Sequence, residues 1–225
     1  MVNPVASPSS NADTNADTNA APSSGAESAP DDVCVVGAAN MDIAGHSRAA
    51  LLRGDSNPGE IEFSPGGVAR NVAENLARLG RPSRRVHLIS AVGADDFGRR
   101  LITATQASGV DVGLVGVFED ARTATYLALH GPNGDMALAV NDMAILARLS
   151  VAHLTPFKAV LENAACTVLD CNLSAEALRW LLEDCDLGPV FVDGVSAAKC
   201  GRQPTARDGR GQRRHQPRRK RCLLV

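Results

Sequence analysis

Three short stretches bring together residue types suited to binding hydroxyl groups. The first is "GAANMD", where Asn40 and Asp42 stand two apart. An ionised carboxylate only accepts and can hold a pair of sugar hydroxyls, whereas an amide both donates and accepts. The second is "SPGGVARN", with Gly66 and Gly67 directly ahead of a helical pattern and Asn71 one turn into it. Paired glycines let the backbone pass close under a ligand, and a helix start offers unbonded N–H groups. The third is "TVLDCN", which closes on Asp170 and Asn172. Each pattern alone fits an ordinary turn, but three of them at separate strand or loop ends suit a polyhydroxylated ligand. The glycines are not a phosphate loop, because no Lys or Ser/Thr follows at the spacing GxxxxGK[ST]. Nor is "GAANMDIAG" a dinucleotide fingerprint, since its second and third glycine positions fail.

These residues need a scaffold, and the hydropathy pattern supplies one. Val33–Val36 is a continuous apolar run ending in Gly37, as expected of a strand buried on both faces. "IEFS" alternates like a short strand and is closed by "PGG". In "VARNVAENLARLG", Val68, Val72, Leu76 and Leu79 fall at helical spacing and Gly80 is a stop signal. "VHLISAVG" predicts a second buried strand, and "DDFGRRLITATQASG" a helix ended by Gly109. "ATYLALHGPNGDMALAVN" predicts two strands around a Pro-Asn-Gly turn. "CTVLDCN" is a strand, "SAEALRWLLEDC" a helix opened by Ser174, and "PVFVD" a strand again. Strands alternating with helices predict a parallel α/β sheet carrying one inserted hairpin.

Composition bounds the rest. The chain has 225 residues, enough for one domain with flexible ends, and only 3% aromatics, so its core must be aliphatic. Residues 1–30, with the repeat "NADTNADTNA", offer too little apolar surface to order and predict a disordered leader. That leader lacks the charged and apolar regions of a signal peptide, and no apolar run approaches the ~20 residues that span a bilayer. The six cysteines form no CxxC pair and have no His partner at zinc spacing, so no metal site is expected. Buried thiols in a reducing cytoplasm are the expectation.

The blocks "VVGAANMDIAG", "SNPGEIEFSPGGVARNVAENLARLG" and "AVGADDFGRRLITATQASGVDV", in this order, resemble the ribokinase-type (PfkB) carbohydrate kinases. Within that family the wording is nearest to the pseudouridine kinases, through "ANMDIAG", "DSNPG", "PGGVARN", "NDM" and "DCNLS". The resemblance runs from about Asp32 to Cys200. It implies a Rossmann-like three-layer αβα fold with a small β-sheet lid at about 60–64 and 122–142. It implies a kinase that phosphorylates the 5′-hydroxyl of pseudouridine or a related sugar or nucleoside, using ATP and Mg2+. By position, Asn40 and Asp42 would bind sugar hydroxyls, Gly66 and Gly67 would pass beneath the sugar, and Asn71 and Asn172 would hydrogen-bond it. Thr123 and Thr125, in the lid hairpin, would be placed to touch a base. His46, His87, His130 and His153 are expected in surface or structural roles. A homodimer through the lid is common in such proteins.

The family's catalytic Asp and its "GAGD"-type anion hole belong to the carboxyl-terminal part of the domain, and nothing after Asp193 resembles them. "RDGRG" holds Asp208 without a strand before it or a helical period after it, and Gly194 stands where the family usually has Pro. From Gly201 onward nine basic residues face one acid, while the rest of the chain carries 14 basic residues against 24 acids. Residues 201–225 predict a disordered basic tail, which reads in three ways: a basic arm binding nucleic acid non-specifically, a "CLLV" lipid signal, or an out-of-frame stretch replacing the rest of a kinase. Lack of stacking aromatics argues against the first, and the unusual final Val against the second. The expectation is therefore a kinase domain lacking its catalytic part, with a non-catalytic sugar- or nucleoside-binding fragment as the alternative.

Overall fold

The computed structural model describes residues 31–80, 83–194 and the backbone of 222–224. The leader and most of the tail therefore lie outside the described residues, together with the expectations placed on them. Five strands follow the chain into one parallel sheet: β1 (Val33–Val36), β4 (Val86–Gly93), β5 (Val115–Phe118), β8 (Cys166–Asp170) and β9 (Val190–Asp193). The sheet order is β10-β9-β8-β1-β4-β5, in which β10 (Cys222–Leu224) runs parallel to β9 at the edge. Here the structure departs from an entirely disordered tail, because these three residues continue the ladder past β9.

Side-chain alternation along β1 explains the layers. Val33 and Val35 face a cluster with Ala69, Ala73 and Leu101, contributed by helices α1 (Val68–Leu79) and α2 (Asp96–Ala107). Cys34 and Val36 face the opposite cluster, with Val160, Leu161, Ala177 and Leu178. Those residues come from α4 (Lys158–Asn163) and α5 (Ala175–Arg179), which follow the short α3 (Val151–Leu154). Both faces of the sheet are thus covered, as a parallel sheet requires. Burial pushes the Cys34 thiol up to about 12, with the Asp32 charge adding to it, so this cysteine is an inert core residue. His87 is buried too, its Nε2 lying 3.3 Å from Asp32 at the start of the domain.

A second, four-stranded sheet stands apart, in the order β3-β2-β6-β7. Its strands are β2 (Asn40–Ser47), β3 (Gly59–Gly66), β6 (Thr125–His130) and β7 (Met136–Asp142). β3, β6 and β7 match the expected lid, while β2 was not foreseen as a strand. Its sequence "NMDIAGHS" holds Met41 and Ile43 at a period of two, and these side chains pack into the α1–α2 cluster.

Helix α1 also differs in detail from its sequence pattern. Its buried residues are Ala69, Arg70 and Ala73, while Leu79 is 87% exposed. Alanines let the helix lie close on the sheet, which draws the "GG" start of α1 in against the end of β1.

Candidate functional site

Asn40 and Asp42 open β2, immediately after the turn that leaves β1, and pair across to Gly66 and Ser64 of β3. The Asn40 Nδ2 donates to Asp42 Oδ1 at 2.6 Å, which fixes the carboxylate. Gly66 lies flush against it: a Cβ there would come within 2.1 Å of Asp42 Oδ2. Burial raises the Asp42 pKa, the Asn40 hydrogen bond and the Arg70 charge pull it back, and the carboxyl ends above its ordinary value. It is half-buried, bonded on one oxygen, and backed by bare glycine backbone.

Gly67 caps α1 at φ 100°, ψ 134°. A side chain there would strike backbone, since its Cβ would stand 2.5 Å from the Ala38 carbonyl oxygen and 2.6 Å from Ala39 Cα. The Arg70 N–H donates to that same Ala38 carbonyl at 3.1 Å. The helix start is thereby pinned under the β1–β2 turn.

Arg70 had no role in the sequence reading, yet it organises this corner. It is 5% exposed, ion-paired with Glu74, and donates to the Pro65 carbonyl at 2.8 Å and to Asn71 Oδ1 at 2.7 Å. Because guanidinium only donates, the Asn71 carbonyl must face Arg70, which leaves the amide N–H2 to donate elsewhere. The only available signal was a charged residue on the face of a helix that also carries Ala69 and Ala73.

The third group approaches from β8. Asp170 is buried, and its carboxylate accepts from the Ala38 N–H at 2.9 Å, the Asn172 N–H at 2.8 Å and the Asn172 Nδ2 at 2.7 Å. Burial raises its pKa against those three bonds, with the charge of Asp193 adding to the rise. Asp170 is therefore a clamp that ties Asn172 to the Ala38 turn. The structure thus gathers Asn40, Asp42, Gly66, Gly67 and Asn71 around one turn, with Asn172 joined to it through Asp170.

Thr123 and Thr125 are not part of this group. The Thr123 hydroxyl donates to Asp95 Oδ1 at 2.6 Å and accepts from the Gly93 N–H at 2.9 Å. Burial opposes ionisation of Asp95, but its bonds from Thr123 and Gly98 outweigh that and hold the carboxyl below its ordinary value. Asp95 is the N-cap of α2, so Thr123 belongs to a cap network. Thr125 pairs with Met41 and so lies on the lid face opposite Asp42. There it borders a cleft of about 630 Å³ with Phe63, Phe97 and Arg100.

A parallel α/β sheet whose strand ends gather Asn, Asp and paired glycines beside a separate four-stranded lid is a ribokinase-type architecture. The family profile described as "pfkB family carbohydrate kinase" matches residues 30–196, and the chain belongs to that family. It is 45% identical over 170 residues to the pseudouridine kinase of Escherichia coli, covering 76% of this chain and 53% of that protein. It is 32% identical to the guanosine-inosine kinase of Exiguobacterium acetylicum, covering 72% of this chain and 53% of that protein. Among solved structures, a carbohydrate kinase from Agrobacterium tumefaciens superposes with a TM-score of 0.67 at 28% identity, over 75% of this chain and 55% of that one. The chain spans about half the length of these curated relatives.

Proposed function

We propose that this chain carries the acceptor-binding part of an ATP-dependent kinase that phosphorylates the 5′-hydroxyl of pseudouridine or a closely related nucleoside. The observation that carries this reading is the Asn40–Asp42–Gly66 cradle, a fixed carboxylate over side-chain-free backbone. In this reading Asp42 accepts from ribose hydroxyls, the Asn71 amide donates to a ligand oxygen, and Gly66 and Gly67 underlie the sugar. Asn172 borders the same turn. The identity to a pseudouridine kinase supports the choice of nucleoside.

ATP, with magnesium, supplies the phosphoryl group in such kinases. Among the described residues no group of three or more His, Cys, Asp or Glu side chains is placed to hold a metal ion. The residues of the cradle are assigned to the acceptor. A binding protein without turnover would use the same cradle. Release of ADP on mixing the purified chain with ATP, magnesium and pseudouridine separates the two: a signal dependent on pseudouridine is the kinase outcome. Saturable binding with no ADP release leaves a nucleoside-binding fragment.

The lid face opposite Asp42 carries Ile61, Phe63, Leu127, Leu138 and Val140, each 38% to 68% exposed. We assign this face to a second copy of the chain, since apolar area of this kind is otherwise wetted. Sedimentation at rising concentration reads it, and a monomer throughout would remove the assignment.

A further inference from the structure

The register of the lid places a second set of groups beside Asp42. Asp42 pairs with Tyr126 of β6, and Tyr126 with Asn141 of β7. Residues paired in register share a face of the sheet, so Asp42, Tyr126 and Asn141 form one row on the cradle side. Two strand spacings separate the ends of that row, about 10 Å, which is the span from ribose hydroxyls to the far edge of an attached pyrimidine.

Tyr126 is the one tyrosine of the chain. Its hydroxyl lies 3.6 Å from the Met136 sulfur, and Met136 pairs with His130 further along the sheet. To reach it the phenol ring must cross Ala128, which is only 6% exposed and pairs with Ala44 and Ala139. Ala44, Ala128 and Ala139 are small, so this row leaves room for the ring on the face of the sheet that it shares with Asp42. Just beyond, His46 and His130 stack at 4.8 Å between ring centroids on the same side. The opposite face of the lid carries Ile61, Leu127, Leu138 and Val140 instead.

We infer that Tyr126 is the stacking platform for a nucleobase and that Asn141 reads the amide edge of that base, so the acceptor is a nucleoside rather than a free sugar. This rests on the kinase reading above and sharpens its substrate class. An aromatic face accepts any flat heterocycle, and an exposed amide can pair with adjacent carbonyl and N–H groups of a pyrimidine-dione edge.

Calorimetric titration of the 225-residue chain with pseudouridine and with ribose tests the assignment. Pseudouridine is expected to bind at least about tenfold more tightly than ribose, the increment that one stacked base contributes. Tyr126→Leu should erase that advantage while ribose affinity stays within about twofold, and Tyr126→Phe should keep it. Asn141→Ala should weaken pseudouridine binding and leave ribose unchanged. Equal affinities in the unaltered chain, or a Tyr126→Leu loss shared equally by ribose, would overturn the inference while the sugar cradle stands. Binding of neither ligand would overturn the cradle as well.

Discussion

Gly66→Ala is expected to lower affinity for ribose and for ribonucleosides by about 100-fold or more, the loss of two hydrogen bonds to a charged acceptor. The new methyl would fall 2.1 Å from Asp42 Oδ2 and 2.5 Å from Asp42 Cγ. Asp42 cannot simply swing aside, because Asn40 holds its other oxygen. Either the carboxylate leaves its position or β3 separates from β2, and both empty the cradle. The fold itself should survive with a loss of about 1–3 kcal/mol, as for an overpacked site. The same carboxylate gives the site a pH dependence. The ionised Asp42 accepts from two hydroxyls more strongly than its protonated form, and burial places its pKa above the ordinary carboxylate value. Affinity should therefore fall on acidification at a higher pH than an exposed Asp would produce. In Asp42→Asn that decline should be gone. Titration calorimetry between neutral and mildly acidic pH reads both effects, and an unaltered affinity in Gly66→Ala would remove Asp42 from the site.

Gly67→Ala should act on stability. At φ 100° an L-residue is strained by roughly 1–3 kcal/mol. The Cβ would also meet the Ala38 oxygen and Ala39 Cα, backbone atoms that cannot rotate away. Together the expected loss is about 3–5 kcal/mol, a large share of the 5–15 kcal/mol that holds a typical domain. Urea unfolding followed by circular dichroism would measure it. A midpoint shift worth less than about 1 kcal/mol would mean that the turn over Gly67 is softer than described.

Much of the domain was legible because its signals are local. The runs "VCVV" and "VHLISAVG" are apolar throughout, and strands buried on both faces need no register to be recognised. The glycine pair and Asn71 could be placed because a helix start is a local event. What escaped depends on partners distant in sequence. β2 looked like a loop, for its polar Asn40 and Asp42 make sense only when β3 and β6 lie beside it. Thr125 and Tyr126 are neighbours in the chain but face opposite sides of the lid, and one strand alone does not reveal which side meets the sugar. The register pairs Thr125 with Met41 and Tyr126 with Asp42, so Tyr126 and not Thr125 shares the face of Asp42. Arg70 was overlooked for a related reason, and Asp170, read as a ligand-binding group, proved instead to tie Asn172 to the Ala38 turn. A charged side chain in isolation suggests an exposed position, whereas these two are buried because Glu74, Asn71, Ala38 and Asn172 satisfy them.

The central claim is that Asn40, Asp42 and the glycine pair bind the ribose of an acceptor nucleoside. Titration of pseudouridine into the 225-residue chain and into its Gly66→Ala variant, with both folds confirmed by circular dichroism, tests it most directly. Saturable binding by the unaltered chain and its loss in the variant is the predicted result. Equal binding by both, or none by the unaltered chain, would contradict it.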